Sequence, residues 1–273
     1  MKKGLKIAAG AAAALLVLGG AGLYLSQTLF KWKKIEYEIM PVFSDGTYLY
    51  LTEPYPYADI EVPESFKECS IKGIDFEAPE GLDWMYPLET EGIKSGIIVD
   101  NADVSKRNLL ICVEDKETSG IRVEDFEFFF DKRTLRGMKK LGLEKPENTH
   151  DLMFLCETFD YKKCNKFSPS EVSAAYNIMM LKGILVPAGM SMDLSDRKVD
   201  LGEEIENKRY WYDTDRMRSF IQQGTAENGS YELVLEVCSP DDPNSYQMVM
   251  IIGNDIDTVR QIAKTVTIAE DAE

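Results

Sequence analysis

The chain carries one imidazole, His150, and a single histidine closes many of the routes to catalysis that depend on that residue. Zinc sites built from several histidines cannot be assembled, nor can the paired-histidine metalloprotease motif. A Ser–His or Cys–His dyad would have to use His150 itself. The thiol nearest in sequence, Cys156, follows six residues on in what reads as the same helix. Neighbours on one helix face lie three or four residues apart, so that thiol points elsewhere. Placed in a helix's first turn, His150 reads as a solvent-facing residue.

Other motifs fall short in definable ways. Ser195-Asp196-Arg197-Lys198 has the S-x-x-K form of an acylated serine, but its companions S-D-N and K-T-G are missing. Asp115, Glu117 and Ser119 alternate as oxygen ligands do in an EF-hand, with Gly120 sixth; Phe126 then stands where a bidentate glutamate belongs. Acidic pairs such as Glu203/Glu204 and Asp241/Asp242 suit general acid–base work, yet among 47 acids such pairs arise without selection. No P-loop or dinucleotide glycine pattern occurs, so no cofactor is expected, and no metal or catalytic residue is assigned. The five cysteines, Cys69, Cys112, Cys156, Cys164 and Cys238, lack any C-x-x-C and are odd in number. That argues against a disulfide framework or a thiolate zinc site. Cys112 and Cys238 sit in strand-like runs as small hydrophobes, and Cys156 with Cys164 is the pair to test for a bridge.

The strongest signal is the uncharged run Ile7–Phe30, with Lys2, Lys3 and Lys6 before it and Lys31, Lys33 and Lys34 after it. As a helix it would be about 36 Å long, enough to cross a hydrocarbon core of about 30 Å with some tilt. Trp32 then falls at headgroup depth, and Lys31, Lys33 and Lys34 reach lipid phosphates. The competing reading is a cleaved signal peptide with a cut near Gly19-Gly20-Ala21, but the run continues well past the usual h-region length. Lysines on both sides nearly cancel the positive-inside bias; a six-residue tail remaining in the cytoplasm places the body outside. The expected order is a cytoplasmic tail at 1–6, an anchor at 7–30, a body at 31–268 and an acidic tail at 269–273. Six of the 31 Lys and Arg precede Ile35, so the remainder sets 25 bases against all 47 acids, a balance of −22. Such a charge repels nucleic acid and anionic lipid surfaces and leaves cationic partners or plain solubility.

Patterning sketches the body. Ile35–Phe43 alternates as a strand, Ser44-Asp45-Gly46 turns, and Thr47–Thr52 returns. Ser70–Ala78 reads as one strand ending in the turn Pro79-Glu80-Gly81, and Asp59–Ser65 echoes Asp75–Gly81 as a similar strand exit. Strands follow at Gly92–Val99 and Asn108–Glu114. Leu135, Met138 and Leu141 then take helical spacing, with Gly142 as C-cap, and Thr149 caps a helix through Phe159. Ser168-Pro169-Ser170-Glu171 opens a helix with a capping box, stopped by Pro187. That helix is apolar on every side and reads as buried; its residues Met179, Met180 and Ile184 are the alternative, a partner surface. Strands at Lys208–Asp213, Arg216–Gly224, Tyr231–Cys238 and Tyr246–Ile252 precede a helix bearing Ile256, Val259, Ile262 and Ala263. The fold class is α+β: an N-terminal transmembrane helix, then a largely antiparallel sheet with a helical layer, as one domain or as two lobes divided near residues 143–168.

SYQMVMIIGNDIDTVRQIAKTV resembles the closing strand–turn–helix of PsbP/Mog1-like extracytoplasmic domains, and IKGIDFEAPEGLDW is similar to their opening strand and P-E-G turn. The resemblance covers about a quarter of the body and implies a ligand- or partner-binding sandwich without shared catalysis. The chain also looks like uncharacterised membrane-anchored proteins of Gram-positive bacteria, which implies no activity. The function expected is a single-pass anchored protein presenting an acidic, non-catalytic domain outside the cell to an unidentified protein or small ligand. A carboxylate-dependent envelope hydrolase and a cytoplasm-facing adaptor are the alternatives.

Overall fold

Strands form where β-branched and aromatic residues alternate with polar ones. The computed structural model describes residues 26–40, 51–90, 93–99, 108–190, 208–225 and 229–270. They fall into two compact units. The first takes the described residues up to 40, Val123–Glu147 and Leu152–Gly189; the second takes the rest. The protein is α+β with a mostly antiparallel sheet and helices.

The second unit is built on strands β1 (Glu53–Pro54), β4 (Asp83–Thr90), β5 (Ile93–Val99), β6 (Leu109–Glu114), β7 (Glu117–Thr118), β8 (Lys208–Asp213), β9 (Arg218–Thr225), β10 (Tyr231–Ser239) and β11 (Asp242–Gly253). Their order is β1-β8-β9-β10-β11-β6-β5-β4, with β7 beside β11, and only β1 runs parallel to its neighbour. Leu235 lies between Ile221 of β9 and Val249 of β11, and Ile251 opposes Ile111 of β6. Side chains alternate across a pleated strand, so these residues share one face. Onto that face pack helix α5 (Ile256–Thr265), through Val259 and Ile262, and a small sheet of β2 (Lys67–Ile71), β3 (Ile74–Ala78) and β12 (Thr267–Ile268), through Ile71, Ile74 and Phe76. Each such side chain, fully buried, contributes about 1.5–3 kcal/mol. Gly253 permits the close approach of α5, because a Cβ there would sit 2.7 Å from Val259 Cγ2.

The first unit is helical. Residues 26–34 form α1, which continues through a π-turn, Ile35–Ile39. A 3₁₀ segment, Val123–Phe129, leads to α2 (Lys132–Lys140); then come α3 (Thr149–Thr158), a short 3₁₀ turn (Tyr161–Lys163) and α4 (Pro169–Met190). Residues Thr149–Asp151 of α3 count with the second unit. The Asp131 carboxylate accepts from the Arg133 and Thr134 amides at 3.0 and 2.7 Å and so caps α2. At its other end Gly142 takes φ +72°, and the Leu143 and Gly142 amides reach the Met138 and Lys139 carbonyls, a Schellman closure. A Cβ on Gly137 would stand 2.0 Å from the Ser170 carbonyl oxygen, so α2 meets the start of α4 backbone to backbone. Asn177 of α4 ties the same elements, donating to the Phe129 carbonyl and Thr134 Oγ1 at 2.8 Å each.

Several local expectations are corrected. Ile35–Met40 is helical, not a strand: Thr28, Trp32 and Ile35 recur at three and four residues and are all buried, which outweighs the short alternation. Residues 41–50, with the expected Ser44-Asp45-Gly46 turn, lie outside the described residues. The single strand expected at Ser70–Ala78 is a hairpin, turned at Lys72 (φ 50°) and Gly73 (φ 81°), both left-handed as a two-residue hairpin turn requires. The echo also fails: Asp75–Gly81 leaves a strand through Gly81 at φ +88°, whereas Asp59–Ser65 lies in turns closed by Ile60 N–H to Tyr57 and Phe66 N–H to Pro63. No capping box forms on α4, because the Ser168 amide bonds Asn165 and Glu171 accepts instead from the Asn165 amide at 2.9 Å. Pro187 removes one rung of the ladder without ending α4, which runs to Met190.

Candidate functional site

His150 is buried, not solvent-facing, at 7% exposure. The reason lies in how α3 begins. Asn148, one residue before the helix, accepts the Asp151 amide at 2.9 Å and donates to the Asp151 carboxylate at 2.7 Å. Thr149 is held by its amide to Asn244 Oδ1 at 3.1 Å and by its hydroxyl to the Ile121 carbonyl at 2.7 Å. These bonds fix the first turn within the second unit. Arg218 adds an ion pair to Asp151 at 3.1 Å. The imidazole then lies on the face of β9 and β10 opposite Ile221 and Leu235, where Arg218 pairs in register with Cys238 and Phe220 with Glu236.

There His150 stacks on Phe220, with centroids 5.1 Å apart and planes 30° apart. Its Nδ1 stands 3.6 Å from Cys238 Sγ. Arg209 lies over the Phe220 ring, 5.0 Å from its centroid, and pairs with Glu236 at 2.8 Å. This is the Cys–His pair that the spacing to Cys156 seemed to deny, formed across 88 residues. No local pattern reveals such a pair; strand alternation in LVLEVCS separates Cys238 from Val237, but only the register with β9 brings an imidazole to it.

A thiol–imidazole pair attacks carbonyl carbon only as the thiolate. Here burial pushes the Cys238 thiol up to about 12; Asp213, Asp242 and Asp151 push the same way, and the Arg218 guanidinium opposes them. At neutral pH sulfur keeps its proton, and the imidazole tautomer sets the direction of the hydrogen bond between Sγ and Nδ1. The arrangement ties His150 to the sheet of its own unit and does not prime a nucleophile.

A second buried polar group lies in the first unit. Lys182 of α4, with Cys156 and Glu157 of α3, is almost wholly enclosed. Its Nζ reaches the Glu157 carbonyl at 3.4 Å. Burial lowers the amine's pKa, and Glu157, Cys156 and Asp160 act against that shift. Cys156 is pushed up to about 12, chiefly by burial. All five cysteines are free thiols, Cys156 and Cys164 included.

The residues singled out by sequence are dispersed. Trp32 is inside the first unit, its ring 5.7 Å from that of Tyr161 and its Nε1 donating to Glu36 at 2.7 Å. Lys31 lies over Tyr176 at 5.3 Å, Lys34 over Phe30 at 5.4 Å, and Lys33 is exposed. Met179 is buried, Met180 half-buried and Ile184 exposed, so they form no single patch. Asp115 pairs with Lys72 while Glu117 and Thr118 belong to β7, so the EF-hand-like stretch spends its ligands on the fold. Asp242 pairs with Lys116 at 2.7 Å. Ser195–Lys198 and Glu203/Glu204 lie outside the described residues. Among the described residues no three His, Cys, Asp or Glu side chains are placed to hold a metal, and no helix is long and apolar enough to cross a membrane; residues 7–25 are outside them.

Compared with known proteins, the chain matches no family model and no curated protein.

Proposed function

We propose that the chain is a single-pass membrane protein in which Ile7–Phe30 spans the bilayer and an acidic, non-catalytic α+β body binds a protein or small ligand outside the cell. The observation that carries this is the uncharged, lysine-flanked run itself, whose residues 26–30 open α1. Two further features support it. The one imidazole is spent on a thiol that burial keeps protonated, which leaves no activated Cys or Ser nucleophile that depends on histidine. The balance of −22 beyond Lys34 suits cationic ligands and disfavours nucleic acid. The resemblance to PsbP/Mog1-like domains belongs to the same proposal, since it implies a binding sandwich.

The test uses an introduced thiol on the exposed turn before β9, Asp215→Cys. A membrane-impermeant maleimide applied to intact cells labels it beyond the parent level if the body is outside. Extra labelling that appears only after lysis places the body inside and makes the chain a cytoplasm-facing adaptor. Turnover of an envelope substrate, abolished by one carboxylate substitution, would make it a hydrolase instead.

A further inference from the structure

The short turn after α3 brings lysines to the place where the chain leaves the uncharged run. Trp32 stands two residues past Phe30, about 3 Å along a helix. The headgroup layer is about 5–7 Å thick on each side of the hydrocarbon. At that level the Trp32 ring packs on Tyr161, so Tyr161-Lys162-Lys163 lies beside the stretch that contains Lys31, Lys33 and Lys34.

The segment that follows is fixed from within. Cys164 is buried, the Asp160 carboxylate accepts the Lys162 amide at 3.0 Å, Glu171 accepts the Asn165 amide at 2.9 Å, and Asn165 Oδ1 accepts the Phe167 amide at 3.0 Å. Held that way, Lys162, Lys163, Lys166 and Phe167 all project to the outside. Phe167 is 60% exposed, with the Lys166 ammonium over its ring at 5.5 Å, and Phe30 is also 60% exposed. The neighbouring acids are committed: Glu36 to Trp32, Glu38 to Lys34, Asp160 and Glu171 to backbone amides. A body with a large acidic excess therefore shows a basic, aromatic-tipped patch here, at the root of the anchor.

We propose that Tyr161–Phe167 is a second membrane contact: Lys162, Lys163 and Lys166 bind the phosphates of anionic phospholipids while Phe167 enters the interface, so that the first unit lies on the bilayer. Lysines near an anionic surface add attraction within a Debye length, about 8 Å at physiological salt, and an exposed aromatic ring favours the headgroup boundary. This rests on the anchored reading of Ile7–Phe30.

The test reconstitutes the full chain carrying Phe167→Trp into vesicles of phosphatidylcholine with or without phosphatidylglycerol, some of the lipid brominated on its acyl chains. The extra emission over the parent chain is expected to be quenched several-fold more in the anionic vesicles. Adding Lys162→Glu, Lys163→Glu and Lys166→Glu, all at exposed positions, should abolish that difference while the far-UV spectrum stays unchanged. A chain that floats with the vesicles but shows equal quenching in both lipids overturns this contact alone. A chain that does not float with vesicles overturns the anchor and this contact together.

Discussion

Replacing Gly137 by alanine tests a close backbone approach in the first unit. The new Cβ would meet the Ser170 carbonyl oxygen at 2.0 Å, its carbon at 2.5 Å and Ala174 Cβ at 2.9 Å. Two of those neighbours are backbone, so no rotamer change relieves the clash, and the first turn of α4 must withdraw by about 1 Å. Overpacking of this kind costs about 1–3 kcal/mol. Alanine returns about 1 kcal/mol through helix propensity. The withdrawal also stretches the 2.8 Å bonds from Asn177 to Phe129 and Thr134, each contributing about 1 kcal/mol. The clash wins, and we expect a net loss of about 1–2 kcal/mol. Urea unfolding of the full chain in mild detergent, followed by the emission of Trp32 packed on Tyr161, should show the midpoint fall by about 0.5–1 M. A midpoint equal to or above that of the parent would refute the backbone contact between α2 and α4.

Thiol chemistry gives an independent check: native protein treated with iodoacetamide at pH 8 should be alkylated first at half-exposed Cys69, with Cys156, Cys164 and Cys238 modified only on unfolding. Rapid, selective modification of Cys238, read by peptide mass spectrometry, would mean an activated dyad. Removing the cap with Asp131→Ala should cost about 1 kcal/mol at pH 7. Amide bonds from Thr134 hold the Asp131 carboxyl below its usual range, so the stability it lends is present above the unfolded pKa and lost as pH falls through the folded one; the variant should show a shallower acid loss in unfolding experiments. Lys182 behaves oppositely. Its folded pKa is lowered below 10.5, so the unfolded chain holds more protons across that window and parent stability climbs with pH toward 10.5. Lys182→Met should lack that rise, and parallel unfolding curves for the two proteins from pH 8 to 10.5 would contradict the buried amine.

What the sequence made legible was local. LVLEVCS, KRYWYD and the apolar face of Ile256–Thr265 carry their own period, and each forms the expected element. Gly142 closes α2 because only a left-handed residue satisfies that terminus. The failures have physical causes. In DWMYPLET, Pro87 argues against a strand, yet β4 is the edge of its sheet and slips register between Met85 and Leu88, the two settings that admit proline. Lys72-Gly73 hides a hairpin turn, since lysine seldom accepts φ 50°. The burial of His150 was not legible, for it depends on Asn244, Ile121 and Cys238, residues distant in sequence that no periodicity relates. The place of the lysine-bearing turn at Tyr161 is illegible for the same reason: its ring contact with Trp32 is what brings it beside the end of the uncharged run.

Everything functional proposed for this chain depends on Ile7–Phe30 remaining in the bilayer. The direct measurement is alkaline carbonate extraction of membranes from cells producing the full chain, followed by N-terminal analysis of the extracted and retained protein. The account predicts retention in the membrane pellet with the segment Lys2–Lys6 still attached. A soluble protein whose first residue lies near Gly22 would contradict it.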